Sequence, residues 1–190
     1  MAATADKQTA GRTAFSGQEF RQAAGTFATG VTVVTSRDGE HGYGMTANSF
    51  SSVSLDPPLV LVCVIARTEG SAVIERHGNF AVNILAADQE PISRYFASKD
   101  RPRGAESFRD VSHKLGVTGC PIIDGVAGHL DCTLVASHEA GDHVIFVGEV
   151  KALDLAPDAQ PLIFHGGGYR SLRQRGESSL SAIHAVPAAR

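Results

Sequence analysis

Between residues 42 and 65 a polar stretch runs straight into an apolar one, and this junction constrains the fold more than any other feature of the chain. Gly42-Tyr43-Gly44-Met45-Thr46-Ala47-Asn48-Ser49-Phe50-Ser51-Ser52-Val53-Ser54-Leu55-Asp56-Pro57-Pro58 combines two close glycines, a series of hydroxyl and amide side chains and a double proline. Leu59-Val60-Leu61-Val62-Cys63-Val64-Ile65 then follows and is wholly apolar. The first segment is too polar for a core strand, whereas the second is a short apolar run of the kind that fills a sheet interior. Hydroxyls, amides and main-chain N–H groups suit a polar, phosphate-bearing ligand held along several edges. The expectation is a ligand-facing strand feeding a buried one; the alternative is a solvated loop ahead of a core strand.

The flanking chain reads as short strands with few helices. Residues 1–16 lack periodicity and are expected to form a disordered arm. Phe20, Ala23, Ala24, Phe27 and Ala28 fall at helical spacing after a Ser16/Glu19 capping box, which predicts a helix from Gly17 that Gly30 stops. Val31-Thr32-Val33-Val34-Thr35 is a β-branched strand, and Asp38-Gly39 marks a hairpin turn into the polar stretch. Gly70–His77 predicts a short helix ended by Gly78, Phe80–Leu85 a strand, and Gln89–Ala97 a helix with Ile92, Tyr95 and Phe96 on one side. Ser98–Gly104 is a charged loop, expected to be mobile. Strands are expected at Gly128–Ser137, His143–Val150 and Pro161–His165, with a turn over Glu139–Asp142. The tail from Arg173 is expected to be loosely ordered. A single domain over residues 17–172, of mainly β barrel or sandwich architecture, follows; helices do not alternate with strands as a doubly wound sheet requires.

Charge and cysteine usage narrow the function classes. A formal net charge of -3 leaves no electrostatic footprint for nucleic acid. Met1–Ala14 has no apolar core of a signal peptide, and the longest apolar run, Leu59–Ala66, is too short to span a bilayer. Cys63, Cys120 and Cys132 form no close pair, so a reduced, cytoplasmic protein is expected.

Three apparent motifs do not hold up. Gly42-Tyr43-Gly44-Met45-Thr46-Ala47 matches a dinucleotide fingerprint, but the Ser-rich, β-branched residues after it predict a strand where that fingerprint needs a helix. His138-Glu139-Ala140-Gly141-Asp142-His143 has one residue too many for a zinc-protease motif, and Gly141-Asp142 signals a turn; no metal site is expected. Ser49, Ser51, Ser52 and Ser54 lack the elbow of a serine nucleophile and suit ligand binding better. Gly166-Gly167-Gly168 permits either a left-handed turn or close approach to a ligand.

Taken together, Thr46–Val64, Phe80–Leu85, Gly141-Asp142-His143 and Pro161–Tyr169 occur in the order found in the short-chain flavin reductases, which the chain resembles over about residues 17–172. These are the reductase components of two-component flavin-dependent monooxygenases. The resemblance implies an FMN-binding split barrel, a Greek-key β-barrel with flanking helices working as a homodimer. It also implies reduction of free FMN or FAD by NADH or NADPH, the reduced flavin diffusing to a partner monooxygenase.

By matching position, Gly42, Tyr43, Gly44, Met45, Thr46, Asn48 and Ser49 hold the flavin's phosphate, ribityl or ring edges. Cys63, Val64 and Ile65 lie along the ring, and Ser71 with Tyr95, Phe96, Ser98 and Lys99 completes the phosphate end. His143, Phe164, His165, Gly166, Gly167 and Tyr169 take the nicotinamide side, with His143 the residue nearest catalysis. The chain departs from the family at Ala66-Arg67-Thr68-Glu69-Gly70-Ser71, where a Ser-containing polar run is usual and where Glu69 is a poor neighbour for a phosphate. Two other readings stay open: an oxidase with permanently bound FMN on the same barrel, and a non-catalytic flavin-binding module.

Overall fold

A computed structural model describes residues 14–172. The expected arm and tail otherwise lie outside the described residues, although Ser16 belongs to the first helix as its cap.

The chain runs through α1 (Gly17–Ala24), β1 (Thr29–Gly30), β2 (Thr32–Asp38), β3 (His41–Ala47), β4 (Phe50–Leu55), β5 (Pro58–Ile65), α2 (Glu69–His77), β6 (Asn79–Ile84) and α3 (Glu90–Ala97). A 3-10 turn at Gly104–Glu106 precedes β7 (His113–Leu115), β8 (Pro121–Ile123), β9 (Gly128–Ala140), β10 (His143–Leu155), β11 (Ile163–His165) and β12 (Gly168–Arg170). The Ser16/Glu19 capping box forms as the sequence predicts. However, α1 ends at Gly25 and not at Gly30, because the Gly25 N–H closes the helix onto Arg21 O and Ala23 O and the Thr26 hydroxyl bonds Ala23 O. Gly30 instead belongs to β1.

Seven antiparallel strands form one sheet in the order β3-β2-β6-β9-β10-β5-β4. Its two edges share one core: Met45 and Ala47 of β3 and Phe50 of β4 pack on a cluster that includes Val34, Val62, Phe80, Val82, Cys132 and Phe146. The sheet therefore curls towards a barrel while β3 and β4 remain unpaired with each other, which leaves it split. A second cluster, with Val31, Leu85, Phe96, Phe108 and Leu162, seats α3 against the outside.

Several short elements escape sequence reading, β1 and the 3-10 turn among them. The hairpin of β7 and β8 and the strand β12 are each only three residues long. β9 also runs to Ala140, so the turn before β10 shortens to Gly141-Asp142, with Gly141 at a φ of 65°. Pro161 does not open β11 but makes a single bridge to Ala86. No helix among the described residues is long and apolar enough to cross a membrane.

Candidate functional site

The polar junction folds as two strands around a corner. β3 delivers Thr46 and Ala47, Asn48 and Ser49 make the corner, and β4 leads away on the sheet edge. Ser49 fixes the corner to β5: its hydroxyl donates to Cys63 O at 2.7 Å and accepts from Cys63 N at 3.2 Å. Thr46 donates to Ser93 O of α3 at 2.6 Å. Asn48 differs from both, since its amide is exposed and has no hydrogen-bond partner among the described residues.

A cleft of about 210 Å³ opens at this corner, lined by Val31, Thr46, Ala47, Asn48, Ser93, Ala97, Phe164 and Tyr169. Gly166 and Gly167, at φ of 58° and 79°, turn β11 into β12, so that Phe164 and Tyr169 become register partners with their rings edge to face at 5.5 Å. The two glycines thus serve the left-handed turn. The Tyr169 hydroxyl sits 2.8 Å from Ser93 Oγ, and the Arg94 guanidinium lies over the Tyr169 ring. Thr29, the register partner of Phe164, keeps a buried hydroxyl without a hydrogen-bond partner among the described residues. An apolar floor with an unengaged amide and an orphaned hydroxyl nearby fits the edge of a ring that carries both donors and acceptors.

From this corner β5 leads to a second opening. Val60, Val62 and Val64 point into the core, while Cys63 and Ile65 share the outward face, Ile65 being 57% exposed. Burial pushes the Cys63 thiol up from its ordinary value. Ile65 stands opposite His143, and Cys63 opposite Ile145, on the neighbouring strand β10. A cavity of about 680 Å³ lies at that end, lined by Ile65, Arg67, Thr68, Ser71, Glu75, Glu139, Asp142 and His143 among others. His143 Nδ1 is 2.7 Å from Asp142 Oδ1, and this hydrogen bond holds the Asp142 carboxyl below its usual range.

Several residues expected at the site have other duties. A Cβ on Gly44 would stand 2.5 Å from Phe96 Cε1, and one on Gly42 would stand 2.9 Å from Phe108 Cδ2; both glycines admit aromatic rings from within the protein. Phe96 is 2% exposed and belongs to the core, and the Tyr95 hydroxyl bonds Ser107 O. Val64 is likewise buried. Tyr43 is half-buried under the Arg101 guanidinium, and burial raises its phenol pKa despite that charge. Met45 packs against the core and near Gly70. The Ser71 hydroxyl bonds Thr68 N and Thr68 O in the box that starts α2.

Ser98 and Lys99 follow α3 on a loop that Arg101 ties down by donating to Ser98 O and Gly44 O. Glu69, the unfavourable neighbour of a phosphate, is paired with Arg103 at 2.5 Å. His165 is exposed at the end of β11. The structure thus brings Thr46, Asn48, Phe164 and Tyr169 to one cleft and Ile65, Ser71 and His143 to another, with Ser49 and Cys63 between them.

Sequence reasoning missed Ser93, Val31 and Arg67, whereas Ala97 lies within the Tyr95–Lys99 segment expected at the site. Ser93 carried a signal, being a small residue one helical turn before Ala97 on the same helix.

Comparison with known proteins agrees with this geometry. The family model described as "Flavin reductase like domain" matches residues 24–173. An NADH-dependent flavin reductase from Rhodococcus sp is 45% identical over 159 residues, spanning 82% of this chain and 86% of that protein. The reductase subunit HsaB of a flavin-dependent monooxygenase from Rhodococcus jostii is 36% identical over 155 residues, 82% of this chain and 77% of that protein. The solved structure of the NADH:FAD oxidoreductase SgcE6 from Streptomyces globisporus superposes with a TM-score of 0.79 at 39% identity, covering 92% of this chain and 99% of that one. A mainly β, split-barrel chain with these ordered segments belongs to the flavin reductase like domain family.

Proposed function

We propose that this protein is an NAD(P)H:flavin oxidoreductase that reduces free FMN or FAD and releases it to a partner monooxygenase, with NADH as the donor its relatives use. One observation carries the reading: the outward face of β5 joins the Asn48 cleft to the His143 cavity. Ser49 clamps Cys63, Cys63 and Ile65 share a face, and Ile65 opposes His143. That strip suits a flat ring with a donor–acceptor edge at one end and a second substrate at the other.

When bound, the flavin supplies the redox chemistry by accepting a hydride from the reduced nicotinamide, so the protein's part is binding, orientation and electrostatics. The Asn48 amide, which lines the first cleft, would donate to and accept from the flavin edge. Cys63 and Ile65 offer an apolar wall that excludes water. Asp142 accepts a hydrogen bond from the His143 ring when Nδ1 carries the proton, and Nε2 would then be available to the nucleotide as an acceptor. Ser71, on the second cavity, and Ser98 and Lys99, on the loop after α3, would serve phosphate groups, and Phe164, His165 and Tyr169 would flank the nicotinamide side.

The same outward face supports a homodimer. Leu61, Cys63 and Ile65 of β5 oppose Val147, Ile145 and His143 of β10, an apolar sheet surface that a second copy covers. Sedimentation at micromolar concentration as a monomer overturns this assembly. The three free cysteines support a reducing, cytoplasmic setting.

The deciding assay follows NADH oxidation with and without added flavin. Activity that depends on free flavin and saturates with it is the expected result. Full activity in dialysed protein, unchanged by added flavin, assigns a permanently loaded oxidase instead. Flavin binding without NADH consumption assigns a binding module.

A further inference from the structure

One side chain ties the end of α3 to β3. Arg101, half-buried in the loop after the helix, donates through Nη1 to Ser98 O at 2.8 Å and through Nη2 to Gly44 O at 2.7 Å. Ser98 is the C-cap of α3, where carbonyls lack partners within the helix. Gly44 is buried on β3, the edge strand of the large sheet. The guanidinium also lies over the Tyr43 ring, 5.7 Å from its centroid, which steadies the fork. Arg94, Arg103 and Arg109 are instead paired with Glu90, Glu69 and Glu106, so Arg101 differs in giving its donors to main-chain carbonyls.

This bridge stands beside the first cleft without entering it. Thr46 donates to Ser93 O, so β3 and the α3 segment are joined at two points, by Thr46 at Ser93 and by Arg101 at Ser98. Between those points the Phe96 ring fills the space that a Cβ on Gly44 would take. Ala97, next to Ser98, lines the cleft together with Thr46, Ala47 and Asn48 of the other wall. The spacing of β3 from α3 is therefore the width of the cleft. Arg101 itself borders a separate cavity of about 50 Å³, with Tyr43 and Glu69. The next anchor along the loop, the pair of Arg103 with Glu69, is exposed and contributes little in water.

We propose that Arg101 is a positioning residue for flavin binding: by bridging Gly44 O and Ser98 O it sets the width of the cleft between β3 and α3, without touching the ligand. The inference rests on the function proposed above, in which this cleft takes the edge of the flavin ring. The bridge needs a planar fork that reaches two carbonyls at once. A lysine carries the same charge on a flexible stem and does not reproduce that fork.

Arg101→Met keeps an apolar stem over Tyr43 and removes the fork. In fluorescence titrations it is expected to weaken FMN and riboflavin alike, about tenfold each, because both present the same ring to the cleft. Arg101→Lys is expected to stay near the methionine value, and it carries the comparison by itself if Arg101→Met does not fold. The titrations are run well below each variant's melting transition, so that a loss of stability alone leaves the affinities unchanged. Wild-type affinity for both flavins overturns the proposal, whatever the melting temperature. So does weakening of FMN alone, which makes Arg101 a phosphate contact, and so does wild-type affinity in Arg101→Lys, which makes charge sufficient. The titrations need no nicotinamide nucleotide. Wild-type protein that binds neither flavin refutes the proposed function and this inference with it, an outcome distinct from wild-type binding that the substitutions leave intact.

Discussion

The cleft at Thr46, Asn48, Ser93 and Tyr169 and the cavity at Arg67, Asp142 and His143 differ in how far their polar groups are already satisfied. In the first, Thr46 is bonded to Ser93 O and the Ser93 hydroxyl to Tyr169, so Asn48 alone is open among these four. Its walls come from β3, α3, β11 and β12, brought together by tertiary packing. In the second, the lining comes from two local turns and is charged, with Arg67, Glu75 and Glu139 facing solvent. A pre-satisfied, apolar cleft selects by shape and a single donor–acceptor group. An open charged cavity selects by electrostatics, which water and salt weaken. Rigidity thus falls to the cleft with Asn48, Phe164 and Tyr169, and charge to the cavity with Glu75, Glu139 and His143.

The largest expected effect tests the rigid end. Gly44→Ala forces a Cβ into Phe96 beneath the first cleft, and overpacking of this kind destabilises by up to ~3 kcal/mol. A fall in urea midpoint checks it, and an unchanged midpoint means that Phe96 and the cleft wall are softer than the packing implies. Next comes Asn48→Ala. It is expected to weaken flavin binding by ~2 kcal/mol through an unpaired group on the ligand, with melting temperature unchanged because the amide makes no internal bond. Lost stability with unchanged flavin affinity would make Asn48 structural and erase the contrast.

His143→Ala probes the other end. It is expected to raise the KM for NADH or slow flavin reduction about tenfold, ~1.4 kcal/mol, with flavin affinity nearly unchanged. Stopped-flow reduction against NADH concentration separates the two terms, and wild-type kinetics return the histidine to a surface role. The smallest effect belongs to Thr46→Val, which removes the bond to Ser93 O and is expected to cost about 1 kcal/mol of stability. Thermal unfolding measures it, and a loss appearing only in flavin affinity would show that Thr46 serves the ligand and not the wall.

How legible these regions are follows from how local their causes are. Strands β2, β5 and β6 show in the sequence because branched residues cluster there, and the start of α1 shows because its capping box joins residues only three positions apart. The hairpin of β7 and β8 does not, since distant side chains hold it: Asn83 accepts from Ile123 N and Thr35 donates to Pro121 O. The same reason explains Gly42 and Gly44. Their spacing resembles a ligand cradle, yet the rings they admit lie more than fifty positions away in the chain, beyond any local pattern. Ser49 and Ser71 were legible as polar groups, but whether such a hydroxyl faces a ligand or closes a turn is decided by tertiary contacts.

His143 and Ile65 stand opposite one another on adjacent strands, about 5 Å apart at Cα, as antiparallel ladder geometry fixes. Their separation is set by the backbone, as in a jig, and not by the choice of rotamer at either residue. An inserted residue within β10 beyond His143 would slip the register by one and carry the imidazole to the opposite face of the sheet. The two-residue turn Gly141-Asp142 is thus a length standard for the site. Substitutions on the outward face of either strand leave this spacing intact, whereas a change in strand length moves His143 and Ile65 relative to each other in one step.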